Sequence, residues 1–384
     1  MQNREKPQGI FISHSGQFDN RRGGTQICSM EYFNTIAAAD IQLRLILLDI
    51  DKRFSTRLLK KFLSTTYIRT TCPKAVRKML TQIADEQPDF VFLNHTNLAH
   101  LAGELRSVLP QRAKIILLSH GLESTDLLHY VRLKNAIPVG GRATPTSVIA
   151  MGTAICMEAS MRSDIDKVFV LSESDAIFER WIGASEIHML PRVVGPKVLD
   201  WMPISGRFGF VGTLDHAPNL EGLVLILTAL ERKSLQRPPV SIRIIGGPAK
   251  TGEWLAATFR AVEYLGPVPD DRLAQEAATW NAFLHPIFCC ARGASTKLAD
   301  PIGWGLPIVT TSYGHRGYTW SNGDFSIAET PEKFIDTCQY LMDLRVAGEA
   351  RKKVLQLLAT SPSIADVAAK ISLALTDPNS PSNK

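Results

Sequence analysis

Short apolar runs recur along the chain, each followed by a stretch whose apolar positions fall at helical spacing. GIFIS (9–13) reads as a buried first strand, and after Gly23-Gly24 the segment TQICSMEYFNTIAAA carries the period of a helix. IQLRLILLDI (41–50), PDFVFLN (88–94), AKIILLS (113–119), DKVFVLS (166–172) and EIHMLP (186–191) continue the strand series. Helical stretches lie between them, among them 73–85 and 97–108. Strands that alternate with helices predict parallel βαβ units in an open, doubly wound sheet.

The pattern then restarts. After a segment rich in Gly and Pro (Gly195 to Gly206), FGFVG (208–212) reads as a new first strand. SIRIIGG (241–247), AVEYLG (261–266), AFLHP (282–286) and LPIVTT (306–311) follow, each separated by a helical segment. The expected architecture is α/β, with two Rossmann-like domains facing each other across a cleft lined by loops at the strand carboxyl ends. The boundaries read from the pattern are 1–200 for the first domain and 201–360 for the second. In 361–384, the amphipathic IADVAAKISLAL (364–375) is expected to cross back to the first domain before a frayed tail.

With 384 residues, 45% of them hydrophobic and 21% charged, the chain suits two soluble domains. Disorder, collagen and coiled coil do not fit. No long uncharged apolar run predicts a transmembrane helix, and the start MQNREKPQGIFIS lacks the features of a signal peptide. The expected location is cytoplasmic. The six cysteines form no CxxC pair, and neither His95 and His100 nor His120 and His129 stand at the spacing of a zinc-binding helix. No metal held by protein ligands alone is expected. The net charge of +6 is concentrated: residues 51–80 hold nine basic side chains and one acid, Asp51, which makes that window +8 and the remainder −2. An anionic surface nearby is the natural partner.

Gly293-Ala294-Ser295-Thr296-Lys297-Leu-Ala-Asp300-Pro-Ile-Gly-Trp-Gly305 carries the richest chemistry. It reads as a small-residue loop entering a helix, whose first N–H groups and dipole suit a phosphate. Lys297 adds a cation, and Asp300 follows at i+3 on the same face, placed to accept both hydroxyls of a ribose. An ordinary exposed Lys–Asp pair has the same spacing. Two D-x-D tripeptides, Asp49-Ile-Asp51 and Asp164-Ile-Asp166, show how cheaply that metal-binding pattern arises. The basic window lacks any RNP, zinc-finger or helix-turn-helix pattern, so nucleic acid is not expected.

Several ordered motifs carry a resemblance. Phe210-Val-Gly212-Thr213-Leu-Asp215-His-Ala-Pro218-Asn219-Leu-Glu-Gly222-Leu, IIGG (244–247), LHP (284–286) and KLADPIGWGLPIVTT follow in the order and spacing of one family. Residues 205–330 resemble the nucleotide-binding domain of retaining GT-B glycosyltransferases, family 4 (group 1). The first half matches more loosely. The resemblance implies a metal-independent transferase without a cofactor, which moves a hexose from a nucleoside diphosphate sugar to a saccharide or lipid-linked acceptor. Cell-envelope or exopolysaccharide glycan assembly is the implied setting. It implies that Lys297 and the backbone of Gly293 to Thr296 bind the diphosphate, and that Gly212 and Thr213 line the nucleotide pocket. Where the family carries an E-x7-E pair, this chain has Arg292 and Asp300.

In the first half, Gly23 and Gly24 are candidates for close backbone approach to the donor. His120, at the carboxyl end of AKIILLS, is expected to touch the sugar or acceptor, so His120, Lys297 and Asp300 are the residues expected to carry the reaction. His14, Glu123, Asp126 and Arg316 are candidate acceptor contacts. The apolar face of STRLLKKFL beside Lys60 and Lys61 suggests contact with an anionic membrane through residues 52–78, against the alternative of a solvated basic face. Two further functions stay open: a nucleotide-sugar-modifying enzyme such as an epimerase, and a non-catalytic binding subunit. Incubation with several nucleotide sugars separates the three.

Overall fold

The computed structural model describes residues 6–18, 23–51, 53, 71–136, 144–233, 240–318 and 325–376. Among them are two six-stranded sheets, and every strand pair in both is parallel. The first contains β1 (Gln8–His14), β2 (Gln42–Leu48), β3 (Phe90–Asn94), β4 (Lys114–Leu118), β5 (Lys167–Val170) and β6 (Ile187–Met189), in the order 2-1-3-4-5-6. The second contains β7 (Arg207–Val211), β8 (Ser241–Ile245), β9 (Val262–Gly266), β10 (Ala282–His285), β11 (Ile308–Thr310) and β12 (Ser326–Ile327), in the order 12-11-10-7-8-9.

Helices flank both sheets. In the first half they are α1 (Gly24–Ala37), α2 (Pro73–Glu86), α3 (Ala102–Arg106), α4 (Glu123–Ala136), α5 (Pro145–Ser160) and α6 (Glu173–Trp181). In the second they are α7 (Ala217–Lys233), α8 (Ala249–Thr258), α9 (Asp270–Ala277), α10 (Thr296–Gly303), α11 (Pro331–Tyr340) and α12 (Leu344–Ala359), followed by α13 (Ile364–Thr376). Covered on both faces, the strands are apolar without alternation: Ile10 to Ile12 and Ile115 to Leu118 are all buried. The helix expected over 97–108 is a 3₁₀ turn, Thr96–Leu101, running into the short α3. Leu98 and Leu101, three apart, both face the interior, a spacing that the tighter helix eclipses on one side.

The order of each sheet reverses beside its first strand, between β1 and β3 and again between β7 and β10. Ligands of open α/β sheets bind at such points, outside the carboxyl ends of the strands. The chain passes between the halves twice, through residues 190–206 and again near Ser361. The passages touch: Val194 N donates to Ser361 Oγ at 3.0 Å. α13 then packs on α1, with Ser372 Oγ donating to Ala39 O at 3.1 Å. One apolar cluster spans the halves, from Phe11 and Ile36 through Val194 to Leu298, Val354 and Ile371.

Close packing fixes the second half at Gly222 on α7. A Cβ there would lie 1.6 Å from the Pro286 carbonyl oxygen, just after β10. Gly222→Ala must push the helix off the sheet and should cost about 1–3 kcal/mol. Thermal unfolding checks this, and an unchanged Tm would show that the helix is loosely seated.

Candidate active site

A cavity of about 610 Å³ opens between the halves, at the carboxyl ends of both sets of strands. Two helices begin on it. α1 starts after the N-cap Gly23, and α10 starts after Ser295. They approach closely enough that a Cβ on Gly24 would meet Thr296 Oγ1 at 2.8 Å. The first N–H groups of a helix have no intrahelical acceptor, so two positive helix ends face one space. All ten expected nucleotide-sugar residues line it: Gly23, Gly24, Gly212, Thr213 and the segment Gly293, Ala294, Ser295, Thr296 and Lys297, with Asp300 beyond.

Lys297 lies across Gly212, where a Cβ would stand 2.6 Å from its Cε. Burial, and then the Arg316 charge, lower its ammonium to about 8. Asp300 is exposed on the cavity side of α10. Thr213 is held from behind: Asn219 Nδ2 donates to its carbonyl at 2.6 Å, which gives the Pro-Asn motif its task. His285, buried at the end of β10, joins Ser295 Oγ at 2.8 Å and Thr310 Oγ1 at 3.2 Å. Burial and the nearby Lys297 keep it well below the usual histidine range, so it braces the helix start as a neutral ring.

One expected phosphate donor is already spent. Gly293 N–H donates to Asp175 Oδ1 at 3.0 Å, across the boundary between the halves. Burial pushes the Asp175 carboxyl up to about 6, against hydrogen bonds from Ser172 and Gly293 that lower it. The diphosphate reading therefore falls on Ala294 to Lys297. The two segments meet here through glycines in the left-handed region: a Cβ on Gly121 (φ 87°) would lie 2.7 Å from Gly293 N, and Gly293 itself has φ 64°.

His120 lines the first-half wall and is 7% exposed. Its Nε2 stands 2.9 Å from Asn94 Oδ1. The Asn94 amide nitrogen faces Ser13 Oγ, Gln17 Oε1 and Ser29 Oγ at 2.9–3.1 Å. Both serine hydroxyl protons are used elsewhere, on Gln17 and Thr25, so these oxygens accept from Asn94. That orientation leaves Oδ1 toward His120, which makes Nε2 the protonated nitrogen and puts the lone pair on Nδ1. Burial, then His95 and Arg292, hold the ring well below the usual range. Tyr32 and His95 pack beside it, at ring centroid distances of 5.5 and 5.0 Å. Asn94 was not among the expected residues. Its place at the carboxyl end of β3, beside the reversal point, was the available signal.

Arg292, standing where the family has glutamate, reaches into the first half. It pairs with Glu123 Oε1 at 2.5 Å and Asp126 Oδ2 at 2.6 Å, at the start of α4. Burial alone would raise Asp126, but His216 and Arg292 hold its carboxyl below the usual value. Among the expected acceptor contacts, Asp126 and Arg316 line the cavity, whereas His14 and Glu123 do not. His14 is turned away, its Nδ1 toward Leu48 O at 3.4 Å, and Glu123 is engaged by Arg292. Arg316 donates to the carbonyls of Arg292, Gly293 and Tyr313, so it holds the loop before α10 rather than reaching out. Lys52, Arg57, Lys60, Lys61 and Arg69 of the basic window, with all of 55–63, lie outside the described residues. Among the described residues, no helix is long and apolar enough to cross a membrane.

Two parallel-sheet halves that meet on one cavity, with a cationic helix start on one wall and a histidine on the other, have the architecture of GT-B proteins. Residues 205–343 match the family described as glycosyl transferases group 1. No curated protein matches the chain by sequence. Among solved structures, the lipopolysaccharide outer core galactosyltransferase WaaB in its apo form is 14% identical, with a TM-score of 0.62 over 96% of this chain and 99% of that one. Sucrose-phosphate synthase from Thermosynechococcus elongatus is 15% identical, with a TM-score of 0.64 over 96% and 97%. The Anabaena protein HepE, in complex with UDP and glucose, is 12% identical, with a TM-score of 0.55 over 97% and 96%. Residues 205–343 thus match a group 1 glycosyltransferase domain, and the whole chain has the GT-B fold.

Proposed function

We propose that the protein moves a hexose from a nucleoside diphosphate sugar to a saccharide or lipid-linked acceptor, with retention and without a catalytic metal. The observation that carries this is the meeting of Lys297 and two helix N-termini on one cavity, opposite His120. Fixed donors and a cation aimed at a leaving diphosphate stabilise the charge that develops on it. Structures sharing the fold carry related ligands, HepE with UDP and glucose and the E. coli trehalose-6-phosphate protein with UDP-2-fluoro glucose. Incubation with a panel of nucleotide sugars and glycan acceptors tests the reading. Transfer, or slow release of free sugar with the nucleoside diphosphate, is the expected outcome. An epimerised nucleotide sugar, or binding with no turnover across the panel, would overturn it.

Asp300 supports a ribose contact, since it stands one turn beyond Lys297 and opens to the cavity. Asp300→Ala should weaken a ribonucleoside diphosphate by about 1–3 kcal/mol and its 2′-deoxy analogue by less. Equal losses in calorimetry would remove the ribose from its role.

A lipid-linked acceptor would bring the enzyme to a membrane, and the charge of residues 52–78 suits an anionic one. Sedimentation with phosphatidylserine vesicles should be lost at high salt. Binding that ignores salt would contradict an electrostatic contact.

A further inference from the structure

Three side chains with metal-binding chemistry converge outside the cavity, on the boundary between the halves. His129 comes from α4, Glu221 from α7 and Cys289 from the segment after β10, and their ligand atoms all lie within 4.8 Å of one another. His129 and Cys289 are buried, and the Glu221 side chain is 16% exposed. His129 Nε2 donates to the Cys290 carbonyl at 2.7 Å, which leaves the lone pair on Nδ1. Metal-bound imidazoles are held in this way, the second ring N–H tied to a carbonyl that fixes tautomer and orientation. Glu221 Oε2 is buried with no hydrogen-bond partner.

A cation already stands at this spot. The Arg132 guanidinium lies 3.4 Å from His129 Nδ1 and 3.2 Å from Glu221 Oε1. Its side chain is 49% exposed, so it can swing into solvent and surrender the place to a smaller and more highly charged ion.

We propose that His129, Glu221 and Cys289 form a zinc site that ties α4 to the second half, with water as the fourth ligand. A mixed sulfur, imidazole and carboxylate set suits zinc among the common divalent ions. Ligands ~2.0–2.3 Å from zinc stand no more than about 4 Å apart, so atoms already within 4.8 Å of one another need only small side-chain rotations to complete the site. Cys289 binds as thiolate and gives its proton to solvent. With no ion bound, burial and the Glu221 charge push that thiol up to about 12, a balance that a divalent ion reverses. No local motif could have revealed the site, because its ligands come from three separate elements. It is independent of the transfer reaction, since none of the three lines the cavity.

The test uses the full chain, freed of metal by chelator and titrated with Co²⁺. One equivalent should bind and give a thiolate-to-metal charge-transfer band, which Zn²⁺ then displaces. Cys289→Ala and His129→Ala should lose the band, and Cys290→Ala should keep it. Arg132→Ala removes the competing cation at a half-exposed position and should bind Co²⁺ about tenfold more tightly, the scale of one outer-shell group. No band in the native chain, or one that survives Cys289→Ala, would overturn the site. Should the buried variants fail to fold, Arg132→Ala still decides, because affinity no tighter than native contradicts a metal in that place.

Discussion

Lys297→Ala should weaken binding of UDP, GDP or whichever diphosphate the protein takes by about 1–3 kcal/mol at neutral pH, the scale of a lost charge-assisted contact. The native protein should show a matching pH dependence. Burial lowers the Lys297 ammonium from 10.5 to about 8, so above that pH the free protein loses the charge the diphosphate requires. Affinity should be level below about pH 7 and then fall, approaching tenfold per pH unit until the higher value of the bound state is reached. Stability moves the other way. Between pH 8 and 10.5 the unfolded chain holds the Lys297 proton more firmly than the folded one, so this residue's contribution to stability rises with pH. Thermal shifts with and without UDP from pH 7 to 10 separate the two trends. A Lys297→Ala protein that keeps the alkaline loss of affinity would place the titrating group elsewhere.

His120→Ala should cut transfer by about 10²–10⁴-fold while leaving diphosphate affinity within about 0.5 kcal/mol. The division follows from position. The ring closes a first-half strand and shares the cavity with Lys297, so on the proposed reading it should meet the sugar or acceptor and not the diphosphate. Burial keeps it neutral, and the transfer rate should therefore show no step near pH 6.5. Asn94→Ala should reproduce most of the loss through an unanchored ring. Asn94→Asp keeps an acceptor for Nε2 but adds a charge that favours the imidazolium, and should bring a pH step into view. Full activity in His120→Ala, or a native step at pH 6.5, would leave His120 a packing residue.

How much of this was legible in the sequence varies by residue. The Gly293 to Asp300 stretch announced its helix start because loop, cation and carboxylate are neighbours in the chain. Gly23 and Gly24 did so through the strand that precedes them. Asn94 and Asp175 act on groups far away in sequence, His120 through the pairing of β3 with β4 and Gly293 through the contact between the halves. His14 shows the opposite failure. It stands at the right end of the right strand, yet its side chain points at Leu48. Arg292 read as a lost glutamate, whereas the fold gives it two carboxylate partners across the boundary.

The contact between Val194 and Ser361 has a mechanical consequence. Two chain passages set well apart would act as a door's pair of hinges and confine motion to one axis. Bundled side by side, they form a single fulcrum, and the halves become lever arms. A rotation at that neck would be felt at the contacts between the halves, among them the pairing of Arg292 with Glu123 and Asp126. Loosening the neck, as Ser361→Gly would, should therefore act on those contacts and leave the start of α10, which lies within the second half, as it was.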